Sequence, residues 1–150
     1  MEELKRRIRE EGIVLPGQVL KVDSFLNHQI DPMLSMAMGQ ELAHRFSDVE
    51  IDRVLTVEAS GIALGLAAAY ALHVPLVFAK KSQSVLMHED AYVADVYSYT
   101  KKVKNSILVL KKFLPPDESV LIVDDFLANG EASLGMASLV HQAGSRVAGI

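Results

Sequence analysis

Residues 119–133, Ser-Val-Leu-Ile-Val-Asp-Asp-Phe-Leu-Ala-Asn-Gly-Glu-Ala-Ser, constrain the fold more than any other stretch of the chain. The apolar run Val120 to Val123 leaves no polar alternate face, the pattern of a strand buried on both sides in a parallel sheet. Asp124 and Asp125 follow, then a short loop containing Asn129-Gly130, then a helical run from Glu131 to Ala143. A buried strand, an acidic loop and a helix start in direct succession belong to an open α/β sheet. Such sheets bind ligands beyond the carboxyl ends of their strands.

The residue types in that loop point to a specific chemistry. Successive backbone N–H groups in a tight Asn-Gly turn make an anion-binding nest, and the helix behind adds the positive end of its dipole. A phosphate therefore suits Ala128, Asn129, Gly130, Glu131 and Ala132. Asp124 and Asp125 would repel that phosphate, so they should face a group that donates hydrogen bonds. Ionised carboxylates only accept, and a ribose diol donates. A phosphate cradle beside acceptors for sugar hydroxyls describes a ribose 5-phosphate site. Glu131 must turn outward, although an acid in a first helical turn suits the dipole.

A second unit of the same kind lies upstream. Arg53 to Val57 reads as a central strand, Glu58-Ala59-Ser60-Gly61 as a short loop, and Ile62 onward as a helix. Ala63, Gly65, Ala67, Ala68, Ala69 and Ala71 suit a helix lying close on a sheet, and His73 and Pro75 interrupt the run before it could span a bilayer. Pro75 to Ala79 reads as the next parallel strand, with Lys80-Lys81 at its end, either meeting an anion or forming a solvated pair. The alternating residues 92–99 pair with Ser106 to Leu110 as a hairpin, and Arg146 to Ile150 reads as a final strand. Upstream, residues 2–11 form a short amphipathic helix stopped by Gly12, and Asp31-Pro32 opens a helix carrying Leu34, Met38, Leu42 and Phe46. His88-Glu89-Asp90 reads as exposed loop, since no ligand partner stands at metal-binding spacing.

Composition narrows the class. The 150 residues suffice for one domain with a real core, and a net charge of −4 gives no support to a nucleic-acid or membrane-surface partner. Absence of cysteine excludes a disulfide framework and thiol catalysis, which fits a cytoplasmic protein. The charged N-terminus does not read as a signal peptide.

Val-Leu-Ile-Val-Asp124-Asp125-Phe-Leu-Ala-Asn-Gly resembles the phosphoribosyl-pyrophosphate (PRPP) motif of the type I phosphoribosyltransferase family, in a form similar to that of its xanthine phosphoribosyltransferase branch. Most relatives carry Thr or Ser hydroxyls in this loop, whereas Ala128, Asn129 and Ala132 here leave the work to the backbone. The resemblance implies an α/β fold: an open, mainly parallel, Rossmann-like sheet with helices on both faces and a flexible hairpin loop. It implies one domain, with residues 1–48 as a base-binding hood and residues 49–150 as the PRPP-binding core. Leu20-Lys-Val-Asp-Ser-Phe-Leu-Asn27 is similar to the base-binding region of that branch, which puts Leu20 and Asn27 against the purine. Phe126 either stacks on the purine or belongs to the core. Ala59, Ser60 and Lys81 correspond to the pyrophosphate loop and its surroundings, with a non-proline cis peptide at Glu58-Ala59 or Ala59-Ser60. Ser98 and Tyr99 fall where relatives carry the flexible loop.

The same resemblance implies transfer of phosphoribosyl from PRPP to xanthine, giving XMP and pyrophosphate in purine salvage. It makes Asp124 and Asp125 the catalytic residues, brings Mg²⁺ in through substrate oxygens with no protein metal site, and implies a cytoplasmic homodimer. A sibling enzyme for guanine, hypoxanthine or adenine shares every phosphate feature, and a PRPP-sensing regulator shares the fold. A generic nucleotide-binding domain would carry a glycine-rich phosphate loop of standard spacing, and none is present. Relatives continue for a few dozen residues beyond Ile150, including a lysine that contacts the base, so the chain either is truncated or departs from them.

Overall fold

The structure, a computed structural model, describes residues 1–17, 19–82, 90–98 and 103–150. Its elements run α1 (Glu2–Glu11), β1 (Ile13–Leu15), β2 (Val19–Lys21), a π-helical turn (Asp23–Asn27), α2 (Pro32–Arg45), β3 (Arg53–Val57), α3 (Gly61–Leu72) and β4 (Leu76–Ser82). Then come β5 (Ala91–Ser98), β6 (Val103–Leu110), a 3₁₀ turn (Lys111–Phe113), β7 (Ser119–Ile122), α4 (Glu131–Gln142) and β8 (Arg146–Gly149).

The main sheet has the order β5-β6-β4-β3-β7-β8. Strands β4, β3, β7 and β8 are mutually parallel, and β6 and β5 add an antiparallel hairpin at one edge. The fold is thus the expected α/β type with a mainly parallel sheet. In its centre, β3 is buried from Val54 to Val57 and β7 throughout, which explains why both read as runs without a polar face.

Each face of the sheet carries its own apolar cluster. On one, Val54, Leu121 and Val123 pack with Leu64 and Ala68 of α3, Leu34 and Met38 of α2, and Phe25 of the π-turn. On the other, Leu55, Val57, Val120 and Ile122 pack with Met136, Leu139 and Val140 of α4. The small residues of α3 let a second helix layer approach. A Cβ on Gly39 of α2 would collide with the Ala67 backbone, so α2 and α3 meet backbone to backbone.

Arg7 joins α1 to this assembly. It bonds Asp31 at 2.7 Å and lies 5.0 Å from the centre of the Phe25 ring. Asp31 meanwhile caps α2 by accepting from the N–H groups of Met33 at 3.0 Å and Leu34 at 3.1 Å. Arg7 holds the Asp31 carboxyl below the usual carboxylate range, with the Leu34 N–H as the next cause.

One sequence expectation needs correction. Strand β4 does not stop at Ala79: Lys80 and Lys81 lie within it, paired with Leu108 and Ile107 of β6. The reason is non-local. The hairpin strand supplies an antiparallel ladder just where the parallel neighbour β3 ends, so the extended backbone stays paired. The hairpin itself is longer than expected, with Ser98 of β5 pairing opposite Val103.

Candidate active site

The crossover from β3 through α3 leads to β4 on one side, and that from β7 through α4 leads to β8 on the other. Neighbouring strands β3 and β7 therefore form a topological switch point, where diverging connections open a crevice beyond the strand ends. Both loops singled out in the sequence, 58–60 and 124–130, leave from this place.

Two helix N-termini border the crevice, and neither has a side-chain cap. The N-cap of α4 is Gly130, which has no side chain to offer, and Ser60 at the start of α3 makes no capping hydrogen bond. First-turn N–H groups have no partners inside a helix, so both ends present donors outward with the helix dipoles behind them. Gly130 has φ 80° and Ala128 φ 45°. Alternation into the left-handed region curls the loop, and the Gly130 N–H turns inward to the Leu127 carbonyl at 2.7 Å. Ala128 and Asn129 are exposed, while Gly130, Glu131 and Ala132 are half-buried. In the other loop Ala59 and Ser60 are exposed, and the Glu58–Ala59 peptide is cis.

Asp124 and Asp125 are half-buried at the end of β7, and the Asp125 N–H donates to Asp124 Oδ1 at 3.0 Å. Burial raises the Asp124 pKa from 3.8 to about 6, and the neighbouring Asp125 carboxyl pushes the same way. The Asp125 N–H and the positive charge of Lys81 oppose the rise. Lys81 therefore belongs to the same electrostatic neighbourhood as the acid pair. Its backbone is held there by Glu58, whose Oε1 accepts from the Lys81 N–H at 2.7 Å, while the Glu58 N–H donates to the Ala79 carbonyl at 3.0 Å. Sequence reasoning does not mark Glu58 as a site residue, since its partner lies on another strand.

Leu20 and Phe126 pack, partly buried, against the cluster that contains Phe25 and Leu26. The loop after β7 and the N-terminal hairpin therefore border the same apolar cluster. Asn27 ends the π-turn and is exposed at its rim. Phe126 is half-buried, with part of its surface in the core and part outside it. Ser98 closes β5, and Tyr99 lies outside the described residues. A hollow of about 300 Å³ lies over β4 and β6, lined by Phe78, Lys80, Leu108 and Phe113 among others. It holds neither the acid pair nor a helix start, both of which lie at the switch point. Among the described residues no three His, Asp or Glu side chains converge as a metal cage, and no helix is long and apolar enough to cross a membrane.

Solved structures similar to this chain are purine phosphoribosyltransferases. Adenine phosphoribosyltransferase from Saccharomyces cerevisiae superposes with a TM-score of 0.75 at 21% identity, over 98% of this chain and 85% of that one. The Giardia lamblia enzyme gives 0.71 at 27% identity, over 91% and 74%. The fold is that of the type I phosphoribosyltransferases, and the chain is a transferase of that class. Within it, the chain belongs to the xanthine phosphoribosyltransferase family. It is 56% identical over all 150 residues to the xanthine phosphoribosyltransferase of Lactobacillus delbrueckii subsp. bulgaricus, covering 79% of that protein. The corresponding values are 55% and 77% for Lactiplantibacillus plantarum, and 53% and 78% for Listeria monocytogenes. No protein-family model matches the chain.

Proposed function

We propose that this chain transfers the 5-phosphoribosyl group of PRPP to xanthine, forming xanthosine 5′-monophosphate and releasing pyrophosphate. The observation that carries the reading is the pair of carboxylates beside the uncapped start of α4, at the switch point between β3 and β7. Relatives named xanthine phosphoribosyltransferase, 51–56% identical over the whole chain, support it.

In this reading the N–H groups of Ala128, Asn129, Glu131 and Ala132 hold the 5′-phosphate in the loop that Gly130 curls through its own bond to Leu127, and Asp124 and Asp125 accept the ribose hydroxyls. As the bond to pyrophosphate lengthens, positive charge develops on the ribose ring, and the two carboxylates stabilise it electrostatically. Ala59 and Ser60, at the start of α3, and Lys81 face the leaving pyrophosphate. Leu20 and Phe126 enclose the purine, and the Asn27 amide meets its exocyclic oxygens and ring N–H groups with both acceptor and donor. Ser98 and Tyr99 belong to the loop that excludes water, which would otherwise hydrolyse PRPP. Residues 1–48 act as the base-binding hood and residues 49–150 as the PRPP-binding core.

Mg²⁺ would enter on diphosphate oxygens and waters rather than in a protein cage. There the ion would offset the leaving group's charge. The protein works as a cytoplasmic homodimer. The test is pyrophosphate release from PRPP and Mg²⁺ with xanthine, guanine, hypoxanthine and adenine in turn. Xanthine should give the highest kcat/KM. Preference for another purine would overturn the assignment of the base, and silence with all of them would overturn the transferase reading.

A further inference from the structure

The π-helical turn Asp23–Asn27 buries Phe25 and Leu26 and leaves Asn27 exposed at its end. Such turns are rare, and those that occur are frequently at functional sites. The backbone bonds that close this one are few. The Asp23 carbonyl accepts from the N–H groups of His28 and Gln29, the latter at 2.8 Å, and the Phe25 carbonyl accepts from the Asp31 N–H at 2.9 Å.

Helix α1 adds a second set of ties, made by side chains. Arg7 lies 5.0 Å from the centre of the Phe25 ring and donates to Asp31 Oδ2 at 2.7 Å. It is also ion-paired with Glu11 at 2.5 Å, and Glu11 Oε2 accepts from the Ser24 hydroxyl at 3.2 Å. Asp31 keeps its other oxygen on the Met33 and Leu34 N–H groups at the start of α2. One guanidinium thus joins α1, the turn and the first residues of α2. Arg6 shows the contrast on the same helix. Its side chain is 54% exposed against 18% for Arg7, and its partners Glu3 and Glu10 lie on α1 itself. Exposed pairs of that kind contribute little, whereas a shielded guanidinium with a carboxylate and a ring face holds a geometry.

We propose that Arg7 is a positioning residue for the purine, clamping the turn that carries Asn27 between α1 and the start of α2. The inference rests on Asn27 meeting the base, as proposed above. It goes further in giving a function to an arginine on the first helix, which acts through the turn.

The test is steady-state kinetics on R7M, R7K, D31N and R6M, with xanthine and PRPP varied separately. R7M keeps a long apolar side chain and loses the charge and the fork. R7K keeps the charge without the planar fork. D31N keeps the cap of α2, since Asn caps as well as Asp, and removes the charged partner of Arg7. R6M alters the same helix without touching the turn. KM for xanthine should rise about tenfold in R7M and about threefold in R7K and D31N, with kcat and KM for PRPP within about twofold of wild type. R6M should match wild type. An unchanged xanthine KM in R7M would overturn the proposal. So would equal losses in both KM values and kcat, because Arg7 would then only hold the fold together.

A second readout needs no turnover. In the ligand-free protein the Gln29 and Asp31 amides, which close the turn, should exchange with solvent about tenfold faster in R7M. The Val123 amide, bonded to Leu55 in the central sheet, should keep its rate. Unaltered exchange at Gln29 and Asp31, or equal acceleration at Val123, would overturn the clamp. Wild-type protein silent with every purine would refute the function proposed above and leave this exchange result to be read by itself.

Discussion

Glu58 Oε1 accepts a hydrogen bond from the Lys81 N–H at 2.7 Å, tying the loop after β3 to the outer part of β4. Two segments assigned to pyrophosphate are thereby held in register by one side chain. Glu58→Ala should raise KM for PRPP roughly tenfold with little change in kcat, the size of one hydrogen bond to a charged acceptor. Glu58→Gln keeps an acceptor oxygen and should stay within about threefold of wild type. Steady-state kinetics with varied PRPP checks both, and an unaltered KM in the alanine variant would show that the tie does not matter.

The acid pair separates function from stability. Asp124→Asn with Asp125→Asn should lower kcat by roughly 10²–10³, the range for losing preorganised electrostatic stabilisation. The far-ultraviolet circular dichroism should stay the same. Asp124→Asn alone should melt at or above the wild-type temperature at pH 8, because the neutral amide avoids burying a carboxylate. A marked drop in Tm would mean that the charge is structurally required.

Asp124 also sets a pH dependence. Its pKa of about 6 lies above the ordinary 3.8, so the folded protein holds this proton more tightly than the unfolded chain. The stabilising contribution is therefore fully present below pH 3.8 and is lost as pH rises through about 6. Activity runs in the opposite direction, since the ribose diol needs the ionised acid. The acid limb of kcat/KM should rise through an apparent pKa near 6. PRPP titrates too, so the comparison is with Asp124→Asn, whose pH dependence of PRPP binding should keep the limb of PRPP and lose that of Asp124.

At the opposite end of β3 and β7, Arg53 forms a two-pronged ion pair with Glu118 at 2.6 and 2.7 Å. Both side chains are largely buried, and Glu118 is the main cause of the raised Arg53 pKa. Arg53→Ala should cost about 2 kcal/mol of stability, the scale of hydrogen bonds to a charged group. Because the pair lies at the strand starts, away from the switch point, KM values should not move. Urea unfolding and kinetics on one preparation would check both halves of that expectation.

The parts legible in the sequence are those written locally. Val120 to Val123, the twin acids and the Asn-Gly turn announce strand, loop and helix within a dozen or so residues, and β3 with α3 does the same. The illegible parts depend on what lies beside each element in space. Lys80 and Lys81 look like the end of a strand because β6, which pairs with them, follows much later in the chain. The switch point depends on strand order, which no local window contains. Glu58 carries no motif: it matters through a backbone N–H on β4. Leu20 and Phe126 meet in one cluster from far-separated segments, a convergence that only the family resemblance foreshadows.

The account depends on a sugar phosphate lodging between β3 and β7, and amide NMR during titration with ribose 5-phosphate addresses that point most directly. We expect saturable shifts centred on Ala128 to Ser133, with Asp124 and Asp125 moving in step and the hollow beside Phe78 and Phe113 unmoved. Shifts centred on that hollow, or none at millimolar ligand, would contradict it.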